Sequence, residues 1–458
     1  MHIKRDVLVE LERWREKPAR KPLILRGARQ VGKTTVVKEF SSQYTHAIML
    51  NLERAQDLEY FKDFSDAQTL VEALMLAHNI SLAALQDTLL FIDEIQESPE
   101  AIALLRYFYE DVPGLPVIAA GSLLEHAMKK VQNFPVGRVE FLYLQPLNFQ
   151  EFLVAKEHSG ALDALNSVPV ATHAHRVLKD LFHEYAIVGG MPEVVKHYVQ
   201  SGSLVDLPPI YESIWETYRV DVEKYASTAT ESRVIKHIIK TAALQLDQRI
   251  KFQNFGNSNY RSREVGEAMH QLHDSRVIQM IYPTTATEPP IMANMKKSPR
   301  LQLLDTGLVN HELKIQGKML ALEDLSEAFR GRVIPHLITQ EWISLQKRAY
   351  ELPHFWVREK TQSHAEVDLV VQHDDKVIPI EVKSGATGSL KSLHQFIERC
   401  DHPYAVRMYA GDLSINEHVT PTTRKSYYLM NLPYYLGTKL PEYLDYFLSE
   451  EWQKRDPA

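Results

Sequence analysis

The sequence predicts an α/β fold that opens with a parallel sheet between layers of helices, and three stretches carry that prediction. "LILRGARQVGKTTVVKEF" (23–40) reads as an apolar strand, a tight glycine loop and an amphipathic helix. "TLLFIDEIQ" (88–96) is a strand of buried type ending in two carboxylates, and "LPVIAAGSLLEHAM" (115–128) is a third strand leading to Gly121 and Ser122. Short, nearly continuous apolar runs separated by helical patterns are how strands covered on both faces read. A strand–loop–helix order of this kind places a ligand at the C-terminal ends of the strands.

Length and composition frame the remainder. A chain of 458 residues exceeds one comfortable core, so two to four domains are expected. Its 45% hydrophobic and 24% charged content is that of an ordinary globular protein. A net charge of −7 rules out a global basic field, though a local basic surface remains compatible with it. Cys400, the single cysteine, excludes an internal disulfide and any multi-cysteine zinc site. "MHIKRDVLVELERWREK" lacks the apolar core of a signal peptide, and no run approaches the roughly 18 apolar residues of a membrane span. A cytoplasmic protein without membrane contact is the expectation.

Taken in order, the first element is the glycine loop. Gly27, Gly32, Lys33 and Thr34 satisfy G-x-x-x-x-G-K-[ST], and Gly27, Ala28, Arg29, Gln30, Val31, Gly32, Lys33, Thr34 and Thr35 form the candidate phosphate cradle. Successive backbone N–H groups and the positive end of the following helix suit an anion. Lys33 is expected on the β- and γ-phosphates of ATP and the Thr34 hydroxyl on Mg2+. Asp93 would hold the Mg2+ through its water shell, and Glu94 would polarise the attacking water. Ser122 could hydrogen-bond the γ-phosphate or the water, or serve as a helix N-cap.

Residues 20–155 resemble AAA+ ATPases of the prokaryotic type related to the archaeal MJ/PH and STAND groups. The run "FPVGRVEFLYLQPLNFQEFL" (134–153) resembles the family's approach to its fifth strand. The resemblance implies an αβα sandwich and a homo-oligomer, with a hexameric ring as one form. Arg138 is then the candidate arginine reaching ATP across a subunit boundary; a surface salt bridge is the alternative. "YAIVGGMPEVVKHY" (185–198) resembles the lid segment, with Gly189, Gly190 and Pro192 shaping a turn, and the helical patterns of 156–230 suit a lid.

Helix, turn, helix and strand over 231–285 suggest a winged helix, with Arg261, Arg263, His270 and His273 as candidates to face DNA phosphates. Such a unit serves equally as a protein-contact module. "YPTTATEPPIMANMKKSP" (282–299) reads as a loop or linker. Within 286–458, "ELPHFWVREKTQSHAEVDLVVQHDDKVIPIEVKSG" (351–385) reads as three short strands. The two-residue strand period puts Glu366 and Asp368 on one face, Val367 and Leu369 on the other, and Glu381 with Lys383 on one face. This resembles the PD-(D/E)XK nuclease fold, in particular its Holliday-junction-resolvase-like branch. The resemblance implies Asp368, Glu381 and Lys383 around one divalent cation, with Glu341 joining them from the preceding helix. A fold kept for binding alone is the competing reading. The histidines, including His173, His175, His270 and His273, form no persuasive metal set.

The domain reading is therefore 1–155 ATPase core, 156–230 lid, 231–285 winged helix and 286–458 nuclease-like domain. The functional expectation is an ATPase acting on duplex or branched DNA, by binding, remodelling or cleavage. Its rival is a nucleotide-operated switch with protein partners and a silent nuclease-like domain.

Overall fold

A computed structural model describes residues 3–64, 66–122, 124, 135, 137–226, 228–319, 331–348, 351–358, 365–383 and 389–454. Strands β1 (Leu23–Arg26), β2 (His46–Asn51), β3 (Thr88–Asp93), β4 (Val117–Gly121) and β5 (Glu140–Tyr143) form one sheet in the order β2-β3-β4-β1-β5. Every pairing in it is parallel. The strand period sorts its apolar side chains between two cores. Leu23, Leu25, Leu89, Phe91, Ile118 and Ala120 pack on the side of the helices Val7–Arg15 and Lys33–Ser41. Ile24, Ile48, Leu90, Ile92 and Ala119 face the helices Ala67–Ala77 and Pro99–Glu110. This is the α/β sandwich that the three stretches predicted.

Five helices follow between Phe149 and Tyr225, then the helices Ala229–Ala242 and Ser262–Asp274. Strand β6 (Ile278–Ile281) pairs antiparallel with β8 (Arg300–Leu303), and an isolated bridge joins Arg249 to Arg300. The segment 282–299 is therefore no linker between units: it closes a strand pair. Within it, β7 (Pro283–Thr284) runs parallel to β9 (His354–Val357) and forms an edge of the C-terminal sheet. A two-residue strand carries too little pattern to be legible until its partner is known.

The C-terminal sheet also holds β10 (Glu366–His373), β11 (Lys376–Val382), β12 (Tyr404–Tyr409), β13 (Ser414–Val419) and β14 (Ser426–Pro433). Its order is β13-β14-β12-β11-β10-β9-β7. The strands expected over 351–385 are β9, β10 and β11. Strand β10 departs from simple alternation, because its register with β9 shifts between Val367 and Val370. Val367 consequently joins one apolar cluster and Leu369 another, where a regular strand would have put them on one face. Among the described residues, no helix is long and apolar enough to cross a membrane.

Candidate functional site

The phosphate-type loop forms where β1 hands over to the helix Lys33–Ser41. Gly27 is required by close packing: a Cβ there would lie 2.3 Å from the Leu144 carbonyl oxygen. Gly32 has φ of 97°, the left-handed region that glycine enters without strain. The Lys33 ammonium donates to the carbonyls of Gly27 (3.0 Å) and Ala28 (2.8 Å) across the loop it would share with a phosphate. Burial lowers its pKa to about 8, against the pull of Glu94 and Asp93, so a nearby anion would keep it charged.

The two acids end β3 as expected. Asp93 is buried and accepts from the Thr34 hydroxyl at 2.6 Å, and burial raises its pKa. Glu94 has φ of 51°, and its carboxylate accepts from the Gln96 side-chain amide at 2.6 Å. Ser122 follows β4 with its hydroxyl buried and without a partner among the described residues, and the segment that it would cap lies almost wholly outside them. Residues 123 and 125–134 lie outside the described residues.

Around these groups lies a cleft of about 610 Å³, lined by Lys33, Thr34, Glu94, Pro192, Glu193 and Lys196 among others. That is the volume of a cofactor-sized site. The glycine cradle, the buried lysine and the Thr34–Asp93 pair fit a nucleotide triphosphate with Mg2+. Several supporting residues escaped the sequence reading. Arg5 donates to the carbonyls of Val31 (2.9 Å) and Gln145 (2.7 Å) and pairs with Glu151 at 3.0 Å. Arg29 pairs with Asp221 at 2.5 Å, the Gln30 side chain donates to the Thr217 hydroxyl, and the Tyr218 hydroxyl donates to the Arg29 carbonyl. These bonds tie both shoulders of the loop to distant helices, which local sequence does not signal.

Arg138 lies elsewhere. It precedes β5, whose first residue Glu140 pairs with Leu23, so it sits at the edge of the sheet opposite Gly27 and its loop. In this chain it pairs with Glu110 at 2.7 Å, 45% exposed.

The carboxylates of the C-terminal sheet converge only in part. The antiparallel register of β10 and β11 sets Asp368 beside Glu381. Asp368 accepts from the Val382 N–H at 3.0 Å, and Lys383 pairs with Glu381 at 2.5 Å. Burial, then the charge of Asp368, raises Glu381 to about 8. The remaining residues of the run, Ser384 and Gly385, lie outside the described residues. Glu341 does not join this group, contrary to the expectation. Its helix, Val333–Leu345, turns the side chain away, to the N-terminus of the helix Phe149–Ala155. There it is fully buried, accepts from the Phe149 N–H at 3.1 Å and lies 2.8 Å from the Tyr185 hydroxyl. Between Asp368, Glu366 and Asp247 stands the guanidinium of Arg300 instead. Among the described residues no three or more His, Cys, Asp or Glu side chains are placed to hold a metal ion. The three-carboxylate set named for the divalent cation is therefore not assembled among the described residues, and the Arg300 guanidinium stands against Asp368 in its place.

Burial pushes the Glu341 carboxyl up to about 8 from an ordinary 4.5. Across that interval the folded chain holds a proton that the unfolded chain releases, so this group's contribution to stability falls as pH rises. Glu341→Gln mimics the protonated acid and is expected to flatten that decline. Urea midpoints of both proteins between about pH 5 and pH 8 test this, and equal declines would remove Glu341 as the cause.

Three comparisons with known proteins bear on these sites. Residues 19–153 match a family model described as an AAA domain. Residues 179–318 and 330–431 match two families described as Domain of unknown function (DUF8612) and Domain of unknown function (DUF4143). No curated protein matches the chain. Among solved structures, a Walker-type ATPase of Pyrococcus abyssi is similar at 15% identity and a TM-score of 0.44, over 68% of this chain and 96% of that one. The Aeropyrum pernix ORC1 protein in complex with DNA is similar at 12% identity and a TM-score of 0.30, over 70% of this chain and 95% of that one. The N-terminal segment is thus a P-loop domain of the AAA type on an α/β fold with a parallel central sheet.

Proposed function

We propose that this chain is a Mg2+-dependent ATPase that assembles as a homo-oligomer and couples ATP turnover to DNA binding by its middle segment. The observation that carries the reading is the cleft in which Lys33, Glu94 and Thr34, the last bonded to Asp93, meet Pro192 and Lys196 of the lid. Lys33 would hold the β- and γ-phosphates, Thr34 and Asp93 would hold Mg2+, and Glu94 would take the proton of the attacking water. Bound Mg2+ supplies neutralisation of the charge that builds on the phosphate oxygens. Glu94 would first have to release the Gln96 amide. Ser122 is the candidate for a γ-phosphate or water contact. Arg138, at the far edge of its own sheet, could reach ATP only in a neighbouring subunit; its exposed pair with Glu110 is the surface salt bridge of the alternative reading.

The DNA part rests on the unit Ala229–Leu303. Two helices, the β6–β8 pair and the Arg249 bridge have the connectivity of a winged helix. Arg261, Arg263 and His270 are exposed on the second helix and Lys251 on the turn before it. His273 is not among them: its ring accepts from the Met280 N–H and braces β6. The double replacement Arg261→Ala, Arg263→Ala should lower duplex affinity and reduce the slope of log affinity against log salt by about 2. Unchanged affinity and slope in the folded double variant would shift the reading to a nucleotide-operated switch with protein partners. That second reading is favoured by the arginine standing among the C-terminal carboxylates, which also argues against cleavage.

A further inference from the structure

We propose that Arg300 takes the place a metal ion would occupy in the C-terminal sheet, making its acidic site a latch that fastens the β6–β8 unit to that sheet. The inference goes beyond the ATPase reading and does not depend on it. One guanidinium nitrogen of Arg300 lies 3.0 Å from Asp247 and 3.4 Å from Asp368, and the other lies 2.8 Å from Glu366. The guanidinium also stands over the Phe355 ring, 4.5 Å from its centre. With 13% of its side chain exposed, Arg300 is desolvated, and its two terminal nitrogens are paired with carboxylates from three directions.

The remaining charges are also taken. Arg249 pairs with the second oxygen of Glu366 at 3.0 Å, and Lys383 pairs with Glu381 at 2.5 Å. Among the described residues these four carboxylates are thus largely offset by Arg300, Arg249, Lys383 and the Arg332 charge that acts on Asp247, so a divalent ion added there would gain little net attraction and would meet Arg300 at close range. The space beside it is small. The cavity bounded by Asp247, Arg300, Phe355 and Asp368 holds about 20 Å³, enough for one water. Glu341, which would complete a ligand set, is committed to Phe149 and Tyr185.

The same contact explains why the segment between β6 and β8 is annexed by the other sheet. Arg300 opens β8, and its ion pairs bring β8 against β10. On the preceding segment β7 adds to β9, the His354 ring bonds the Tyr282 carbonyl at 2.9 Å and the Trp356 indole donates to the Thr285 carbonyl. Glu366 and Asp368, which the strand period puts on one face, both reach that guanidinium, while the register shift in β10 sends Val367 and Leu369 into separate cores.

Two measurements on the full chain test the proposal. Mn2+ is titrated without nucleotide and followed by electron paramagnetic resonance, with Asp368→Asn alongside. Equal numbers of bound Mn2+ are expected; an ion bound by the parent and lost in Asp368→Asn overturns the proposal. Amide hydrogen exchange is then compared between the parent, Arg300→Met and Arg300→Lys. Exchange across β6, β8 and β9 should accelerate by about tenfold or more in the methionine variant. Arg300→Lys keeps the charge without the planar fork and should fall between. Unchanged exchange overturns the latch. Should the methionine variant not fold, the lysine variant carries the same comparison.

Discussion

Lys33→Ala is expected to abolish ATP binding, and Glu94→Gln to leave a protein that binds ATP but hydrolyses it at least about a hundredfold more slowly. The two residues act on different parts of one ligand. Lys33 already bridges the loop carbonyls of Gly27 and Ala28, so its removal deletes both the loop's internal clasp and the ammonium group that the loop itself presents to a phosphate. Glu94 is held off the loop by Gln96, so exchanging its carboxylate for an amide leaves the phosphate contacts in place. Equilibrium binding of a fluorescent nucleotide and steady-state phosphate release separate the two effects. Near-normal turnover in Glu94→Gln would mean that another group accepts the proton. The same assay reaches Arg138. Arg138→Ala should bind ATP without hydrolysing it, and mixing it with Lys33→Ala should restore part of the activity at hybrid interfaces. No recovery in subunits shown to co-assemble would remove the cross-subunit role.

Gly190→Ala is expected to be the most destabilising small substitution of the lid. Its added Cβ would sit 2.0 Å from the Leu147 carbonyl oxygen, which is backbone and cannot swing aside. The approach is fixed from both directions. The Leu147 N–H donates to the Gly190 carbonyl at 2.7 Å, and the Gly190 N–H donates to Asp305 at 2.5 Å. On the other side of the crossing, a Cβ on Gly307 would meet the Val188 carbonyl at 2.1 Å. Forcing these strands of backbone apart should cost about 3–5 kcal/mol and lower the melting temperature of a cooperative unit of this size by about 3–5 °C. Nucleotide affinity should fall as well, since Leu147 and Pro192 line the cleft. Gly160→Ala is the internal control: nothing lies within 4 Å of its Cβ position, and alanine favours the helix it sits in. Equal melting temperatures for the two variants would refute the crowding argument.

The elements legible in the sequence are those whose signal is local. Strands β1, β3 and β4 announce themselves as apolar runs ending in glycine, acid or serine, and the loop between β1 and its helix carries its own spacing. Strands β10 and β11 follow from alternation and a polar turn. What stayed hidden depends on partners far along the chain. Strand β7 exists only because β9 accepts it some seventy residues later. The period of a strand cannot reveal the shift in β10, which arises from its pairing with β9. Glu341 sits at a plausible distance from Asp368 in sequence, but the face its helix shows to Phe149 and Tyr185 is set by packing. Arg5 and Arg300 are single charged residues whose roles come wholly from the carbonyls and carboxylates that fold around them.

One apolar cluster runs without interruption from Val7 and Trp14, through Tyr185 and Trp215, to Met430 and Phe447. The glycine loop, the lid and most of the C-terminal sheet share that cluster, so the functional units named above are not separate thermodynamic units. Loss of native packing at one end withdraws neighbours from the other, and the folding free energy cannot be divided among the parts as it can for beads on a string. The face of the first sheet that packs on the helices Ala67–Ala77 and Pro99–Glu110 has a cluster of its own, as do two smaller groups in the C-terminal half. A change that nucleotide binding made at the lid would thus be delivered into a continuous apolar core.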